Sequence, residues 1–287
     1  MSKHMILFWF IIIAPINGFC KDNNADEPDE FLRYKSIKEG ALKIHLFKPQ
    51  KHSFSDNNSA IVFFSGGGWK NCNPSQFYPH CSYLSSRGMV AMSAEYRVEN
   101  IHETPPSKCV EDGKSAIRWI RKNADQLGID PNRIVASGGS AGGQVAAATG
   151  TLSKFNDPSD DLSVSCIPNA LVLFNPVFDN SKNGYGYERV KEYWRDFSPL
   201  HNLSKDTPPT IIFFGTKDKY HEHAKLYKHR MKQLGLRCEL YLYKGQSHGF
   251  FNYQHTEYYR KTIIELDKFL ISLNYIKEKK VCTVLSR

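Results

Sequence analysis

The chain has 287 residues, of which 41% are hydrophobic and 13% aromatic, a composition typical of a globular protein with one large α/β domain. The formal net charge is +9, but the lysines are scattered and no basic segment interleaved with aromatic residues is present, so a nucleic-acid partner is not expected. The densest basic cluster, Lys277, Lys279 and Lys280, lies in the segment 276–287, which is predicted to be a solvated C-terminal tail.

The N-terminus differs from the rest of the chain. A basic start precedes an apolar run over 5–14 that is too short to span a bilayer, which predicts a secretory signal peptide over 1–20 and a secreted or periplasmic protein. A lipid anchor on Cys20 is an alternative, although Phe19 fits poorly before a lipidated cysteine. Stable membrane insertion is not expected. The segment 21–40 begins with acidic and polar residues and is predicted to be a flexible lead-in.

The chain contains no Cys-x-x-Cys pair, so a zinc site is not expected. Export would permit disulfides, but the spacing does not indicate which cysteines would pair, and some could be small buried thiols. The cysteines are Cys20, Cys72, Cys81, Cys109, Cys166, Cys238 and Cys282.

Strand and helix patterns alternate along the chain. The segment 41–47 alternates apolar and polar residues, which predicts a half-buried antiparallel strand at a sheet edge. Continuous apolar runs at 60–64 and 89–94 predict central strands that are covered on both faces. The further predicted elements are a helix over 108–126, a strand leading into residue 140, strands over 170–174 and 210–214, a helix over 222–234, a strand over 238–243 and a helix over 256–273.

This alternation predicts an α/β fold with a mostly parallel, doubly wound sheet and helices on both faces, in a domain over 41–275. Reactive residues in such sheets lie at the carboxyl ends of the strands. One excursion, over 176–209, is rich in glycine and aromatic residues and too long for an ordinary connection. Two interpretations of it remain open: a cap over the active site, or a structural excursion whose aromatic residues pack on the domain.

A serine lies where an apolar strand meets a helix of small residues. The segment 134–143 reads Ile-Val-Ala-Ser-Gly-Gly-Ser-Ala-Gly-Gly and satisfies Gly-x-Ser-x-Gly, with Ser140 between Gly138 and Gly142. A nucleophile at the tip of a strand needs a cramped backbone, and side chains at the flanking positions would collide with it. An ordinary glycine-rich turn is the alternative. No dinucleotide-type glycine register and no P-loop Lys-Ser or Lys-Thr pair is present.

Three further signals lie at predicted strand ends. The glycines 66–68 follow the first central strand, where their N–H groups could form an oxyanion hole. Asp218 and His248 follow the last two strands, in the serine, acid, histidine order of a catalytic triad. Asp179 is an alternative acid and His255 an alternative base.

His221 and His223 are clustered and could suggest a metal site. These histidines are two residues apart at the start of a predicted helix and would lie on different faces, so a shared metal is not expected.

These motifs resemble the α/β-hydrolase superfamily over about residues 42–273, and within it the acetyl-esterase/lipase group that includes hormone-sensitive-lipase-like carboxylesterases and exported bifunctional acetyl-xylan/feruloyl esterases. The residues that carry the resemblance are Gly66-Gly67-Gly68-Trp69, Glu95-Tyr96-Arg97, Asp130-Pro131-Asn132-Arg133, the turn at Ser140, Gly215-Thr216-Lys217-Asp218 and Ser247-His248-Gly249-Phe250.

The resemblance implies that Ser140 is the nucleophile, Asp218 the acid and His248 the base. It also implies an oxyanion hole formed by the N–H groups of Ala141, Gly67 and Gly68, and no metal or organic cofactor. Ser65 stands where many relatives have histidine, so the hydrogen bonds that brace the glycine loop must differ.

The expected function is therefore a secreted serine carboxylesterase that hydrolyses short-acyl esters, with acetyl or feruloyl groups on polysaccharide as the expected substrates. Trp69, Tyr187 and Phe250 are candidates for stacking on sugar rings, although each is individually more typical of a core residue. The alternatives are a serine peptidase or a lipase on the same fold, or a non-catalytic binding protein on a hydrolase scaffold.

Overall fold

A computed structural model describes residues 27–278 of the chain. The predicted signal peptide over 1–20, with Cys20, and all of the predicted basic tail after residue 278 lie outside the described residues. Within this range, no helix is both long enough and apolar enough to cross a bilayer.

The strands form one sheet in the order β1-β2-β4-β3-β5-β6-β7-β8. β1 pairs with β2 and β2 with β4 in antiparallel fashion, and the remaining neighbours are parallel. The strands are β1 (Glu30–Ile37), β2 (Gly40–Phe47), β3 (Asn58–Phe64), β4 (Val90–Ala94), β5 (Ile129–Gly139), β6 (Ala170–Phe174), β7 (Thr210–Gly215) and β8 (Cys238–Tyr243). The predicted mostly parallel, doubly wound sheet is confirmed.

Helices cover both faces of the sheet. They are α1 (Tyr78–Ser86), α2 (Glu99–His102), α3 (Pro106–Lys122), α4 (Ser140–Thr151), α5 (Tyr187–Val190), α6 (Trp194–Phe197), α7 (His221–Gln233) and α8 (Thr256–Ser272), with 3₁₀ turns at Pro74–Phe77 and Pro199–His201. The side chains of β3 alternate between two cores. Val62 and Phe64 join the core under α3, α4 and α7, whereas Ile61 and Phe63 join the core under α1 and α8. A strand covered in this way is apolar on both faces, which is why 60–64 is a continuous apolar run.

The domain begins earlier than the sequence predicts, at β1. The segment 21–40 was expected to be flexible, but residues 30–37 form β1, which pairs with β2 from Glu30 opposite Leu46 to Ile37 opposite Gly40. β1 therefore occupies the sheet edge, and β2, predicted as the edge strand, is internal although antiparallel as expected.

Interactions made by two β1 side chains explain this difference. The Tyr34 hydroxyl donates to the carbonyl of Glu95 at 2.6 Å, and the Lys35 ammonium lies 2.7 Å from the carboxylate of Asp112. The charged residues along 30–37 make this strand hard to predict from the sequence, because the residues that form ion pairs with them lie far along the chain.

Every cysteine within residues 27–278 is a free thiol: Cys72, Cys81, Cys109, Cys166 and Cys238. The expectation that some cysteines are buried thiols is confirmed. Burial raises the pKa of the Cys81 and Cys109 thiols well above the ordinary value, so both stay protonated and behave as small apolar side chains.

Buried charges tie β1 to the helix layer. Asp112 on α3 is 0% exposed and receives two hydrogen bonds from the Arg97 guanidinium, at 2.8 and 2.6 Å, beside its ion pair with Lys35. Asp157 lies 2.7 Å from Lys35 as well, and these partners hold its pKa well below the usual range despite its burial. Such a network is stabilising only while every buried charge keeps its partners.

Replacing Asp112 with alanine is expected to lower the free energy of unfolding by about 3 kcal/mol, because two mostly buried cations, Lys35 and Arg97, lose their shared carboxylate. Urea unfolding followed by circular dichroism measures the change. The control is Glu257→Ala, which removes an exposed pair with Lys261 and should change the free energy of unfolding far less, because solvent screens that pair. Equal losses in the two variants would contradict a stabilising role for the buried network.

Candidate active site

The turn at Ser140 joins β5 directly to α4. β5 ends at Gly139, α4 begins at Ser140, and Ser140 itself has a φ of 55°, in the left-handed region. A non-glycine residue pays about 1–2 kcal/mol for this conformation. The turn therefore stores strain at the one position where a hydroxyl must project from the sheet.

The two flanking glycines are required by close backbone contacts. A Cβ on Gly142 would lie 2.1 Å from the carbonyl oxygen of Phe64, and one on Gly138 would lie 2.5 Å from the carbonyl oxygen of Gly142. No side chain fits at such distances. The predicted collision of any side chain at these positions is confirmed.

Ser140, His248 and Asp218 form a hydrogen-bonded row. Nε2 of His248 lies 2.9 Å from the Ser140 hydroxyl, and Nδ1 lies 2.5 Å from Oδ2 of Asp218. Because an ionised carboxylate only accepts, the proton of a neutral His248 ring sits on Nδ1, and Nε2 is left to accept from Ser140. This is the geometry that activation of a serine hydroxyl requires.

The surroundings of the acid and the histidine differ. Asp218 is buried after β7, where its other carboxylate oxygen accepts from the Tyr220 N–H at 3.0 Å. The side chain of His248, after β8, is 48% exposed. The buried carboxylate can orient the ring while the ring remains accessible to a substrate and to water.

The alternative acid and base occupy other positions. Oδ1 of Asp179 accepts from the Ser181 N–H at 2.8 Å, and its carboxylate lies 3.8 Å from His223 and 3.9 Å from His201 rather than beside His248. His255 is exposed and precedes α8.

The two clustered histidines also contact different groups. His221 hydrogen bonds with the Asp218 carbonyl at 2.8 Å, whereas His223 faces Asp179.

The glycine loop after β3 runs past the serine. A Cβ on Gly66 would lie 3.4 Å from Cβ of Ser140. Gly67 and Gly68 have φ values of 142° and 63°, a conformation that favours glycine. The Gly67 carbonyl accepts from the N–H groups of Lys70 and Asn71. Because a peptide unit is planar and trans, fixing this carbonyl directs the Gly68 N–H to the opposite side.

The glycine loop is braced without the histidine of many relatives. The Ser65 hydroxyl accepts from the Asn73 N–H at 3.0 Å, and the Gly66 N–H donates to Oε1 of Gln76 at 2.7 Å. The amide nitrogen of Gln76 donates in turn to Oδ1 of Asn252 at 2.9 Å. Asn252 lies close after His248, so one side chain, Gln76, connects the glycine loop with the histidine loop.

Two of the expected sugar-stacking residues are buried, and that prediction is wrong for them. Trp69 is 0% exposed and its indole N–H donates to Gln144 at 3.2 Å, so neither ring face is available to a ligand. Phe250 is buried against Tyr243, with ring centroids 5.0 Å apart. Tyr187 is partly exposed at the start of α5, and its role as a substrate contact stays a prediction.

The excursion over 176–209 packs on the domain and also borders the site. Phe178 stacks on Tyr227 of α7 with ring centroids 4.0 Å apart, as a structural excursion would. Nearer the site, the Arg189 guanidinium donates to the carbonyl of Gly68 at 2.6 Å. The Tyr185 hydroxyl lies 2.7 Å from where a Cβ of Gly68 would be. The packing of Phe178 agrees with a structural excursion, whereas a cap over the active site stays a prediction.

Sequence reasoning missed three polar residues at the site: Gln76, Asn175 and Tyr185. Asn175 is the first residue after β6, and the rule that reactive groups lie at carboxyl strand ends could have found it. Gln76 and Tyr185 lie in connections, where no sequence pattern marks a contact with the glycine loop.

Comparison with known proteins agrees with the geometry. The sequence profile of the alpha/beta hydrolase fold family matches residues 61–252, so the chain belongs to this family. The apo form of Thermogutta terrifontis esterase 2 superposes with a TM-score of 0.84 and 43% identity, covering 87% of this chain and 96% of that one.

Two curated relatives are more distant. Esterase LipC of Mycobacterium tuberculosis is 28% identical over 215 residues, which cover 66% of this chain and 52% of LipC. The acetylxylan esterase of Xylanibacter ruminicola is 24% identical over 265 residues, which cover 85% of this chain and 51% of that enzyme. The chain thus spans about half the length of these two relatives. The solved structure and both curated relatives are esterases by name, and the chain shares the fold of the solved one.

Replacing Gln76 with methionine, which has a similar shape and no amide, is expected to lower kcat about tenfold while KM changes little. The partly buried Gly66 N–H loses its acceptor, and the glycine loop loosens beside Ser140. Steady-state hydrolysis of p-nitrophenyl acetate measures the two constants. Ser75→Ala, at the exposed neighbouring position, is the control and should match the wild type. An unchanged kcat in Gln76→Met would show that the brace has no effect on catalysis.

Proposed function

We propose that the protein is a serine carboxylesterase in which Ser140 is the nucleophile, His248 the general base and Asp218 the residue that orients the base. The observation that carries the proposal is the row of hydrogen bonds from Asp218 through both ring nitrogens of His248 to Ser140, at 2.5 and 2.9 Å. The left-handed backbone that projects Ser140 at the end of β5 supports the same role.

The reaction proceeds through an acyl-enzyme. His248 takes the proton as Ser140 attacks the ester carbonyl, and the backbone N–H groups of Gly67, Gly68 and Ala141 stabilise the oxyanion. Ala141 lies in the first turn of α4, where N–H groups have no partner within the helix and the helix dipole favours negative charge. The protonated His248 ring then gives its proton to the leaving alcohol. In the second half of the reaction His248 takes a proton from water as the water attacks the acyl group, and returns it to the Ser140 oxygen as the carboxylic acid leaves.

We propose short-acyl esters as the substrates, with acetyl or feruloyl groups on polysaccharide as the natural ones. Thermogutta terrifontis esterase 2 has been solved with propionate and with butyrate bound, which supports a small acyl group. The acetylxylan esterase among the relatives supports an acylated carbohydrate. The predicted signal peptide over 1–20 supports a secreted or periplasmic enzyme that meets such a polymer outside the cytoplasm.

Ser140→Ala is expected to reduce hydrolysis of p-nitrophenyl acetate by about a thousandfold or more, because removal of a triad nucleophile leaves only binding and the oxyanion hole. Paraoxon, which phosphorylates the Thermogutta esterase, should add one diethylphosphoryl group to the wild type and none to the variant by intact mass. Wild-type activity in Ser140→Ala would end the proposal. Failure of both reactions in the wild type would favour a binding protein on a hydrolase scaffold.

Among p-nitrophenyl esters, kcat/KM is expected to fall by about tenfold or more from acetate to decanoate, since each methylene that cannot be accommodated costs about 1–3 kcal/mol. Incubation with acetylated and feruloylated xylan, with the released acid identified by chromatography, tests the natural substrate. Faster cleavage of decanoate would favour a lipase. Cleavage of a peptide substrate without release of acid from either xylan would favour a peptidase.

A further inference from the structure

An asparagine lies beside the histidine without being part of the proposed triad. Asn175 follows β6 directly and is 1% exposed. Its φ of 34° is in the left-handed region, which asparagine tolerates better than most residues other than glycine. Asn175 thus combines a buried polar side chain with a strained backbone, at the end of the strand next to β5. A buried polar side chain needs hydrogen-bond partners.

Both ends of the Asn175 amide face the histidine loop. Oδ1 accepts from the backbone N–H of Gly249 at 2.9 Å, and Nδ2 lies 3.4 Å from Nε2 of His248. The Gly249 N–H can only donate, so it fixes which end of the amide is oxygen. The remaining amide N–H therefore points at the ring nitrogen that would exchange protons with Ser140.

A hydrogen bond from a second asparagine holds the other backbone group of Gly249. The carbonyl of Gly249 accepts from Nδ2 of Asn252 at 2.8 Å. The residue after His248 is thus held at its N–H by Asn175 and at its carbonyl by Asn252, and its φ of 82° is left-handed. A loop held at both groups cannot rotate without breaking a hydrogen bond.

We infer that Asn175 is a positioning residue for His248, and this inference rests on the proposed function. Its amide oxygen holds the backbone of the loop that carries the His248 ring. Its amide N–H faces Nε2, which has a lone pair to accept a hydrogen bond only while it is unprotonated. The Ser140 hydroxyl, at 2.9 Å, is the nearer donor to the same nitrogen, so the amide at 3.4 Å limits the tilt of the ring without displacing the serine.

Three variants separate the contributions. Asn175→Gly keeps the left-handed backbone unstrained and removes only the amide. Asn175→Asp retains an acceptor for the Gly249 N–H but places a carboxylate oxygen near Nε2. Asn169→Ala is the matched control, because Asn169 precedes the same strand and its amide oxygen accepts from the Ile134 N–H at 3.1 Å, at the opposite end of the sheet from Ser140.

Asn175→Gly is expected to lower kcat for p-nitrophenyl acetate by about ten- to hundredfold with KM within about twofold, because a misplaced base costs rate rather than binding. Asn169→Ala should keep the wild-type kcat. Melting temperatures of both variants, measured by calorimetry, show that each is folded at the assay temperature. The inference is overturned if the two variants lose kcat equally.

Asn175→Asp is expected to move the acidic limb of the pH profile of kcat/KM to higher pH. The groups hydrogen-bonded to the His248 ring among residues 27–278 are Asp218, Ser140 and Asn175, so the substitution gives the ring a second carboxylate, which favours its protonated form. A side chain that did not face the ring would leave the limb in place. A profile that overlays the wild type contradicts the inference.

The proposed function and this inference fail in different experiments. Wild-type hydrolysis and its loss in Ser140→Ala test the function alone. The ¹⁵N chemical shift of Nε2, assigned by its disappearance in His248→Gln, needs no turnover. It should change in Asn175→Gly and remain unchanged in Asn169→Ala, and no change in Asn175→Gly would overturn the inference even if the protein had no esterase activity.

Discussion

The geometry of the site depends on two positions in the serine turn that have no room for a Cβ atom. At Gly138 and Gly142 the backbone of the serine turn approaches itself and the end of β3 so closely that a methyl group would overlap a carbonyl oxygen. This approach allows β5 to pass into α4 without a connecting loop, and it imposes the left-handed conformation on Ser140. The same contact brings the glycine loop after β3 beside the serine, so one packing constraint sets both the position of the hydroxyl and that of its neighbouring backbone donors.

Amide side chains hold the rest of the site together. Gln76 spans from the glycine loop to Asn252, and Asn252 and Asn175 hold opposite groups of the residue after His248. Loops that follow three different strands are thus connected by neutral hydrogen bonds, all of which reach the backbone except the one between the side chains of Gln76 and Asn252. Neutral groups do this without adding a charge near the imidazole, where a further carboxylate or cation would change its protonation. Backbone-directed bonds also keep their geometry when neighbouring side chains move.

Much of the fold and the central site could be predicted from the sequence because their signals are local. An apolar run marks a covered strand, and the serine, glycine-triplet, aspartate and histidine segments each need a particular backbone at a strand end. Three features could not be predicted because they depend on distant partners. β1 is masked by charges whose counterions lie on α3 and beyond, and Trp69 is buried by the excursion over 176–209. Gln76 belongs to no motif, and although the strand-end rule marks Asn175 as a candidate, the contacts of both residues arise only when separate loops meet.

The pairing of β1 with β2 also determines where the folding unit begins. Without residues 30–37, β2 would present unpaired backbone N–H and C=O groups along the sheet edge, next to its buried Ile44 and Leu46. Such an edge is a template for pairing with another chain. β1 instead ends the sheet with a strand whose outward residues are mostly charged or partly exposed. Removing residues 30–37 would therefore leave β2 with an edge that is open to pairing with another chain.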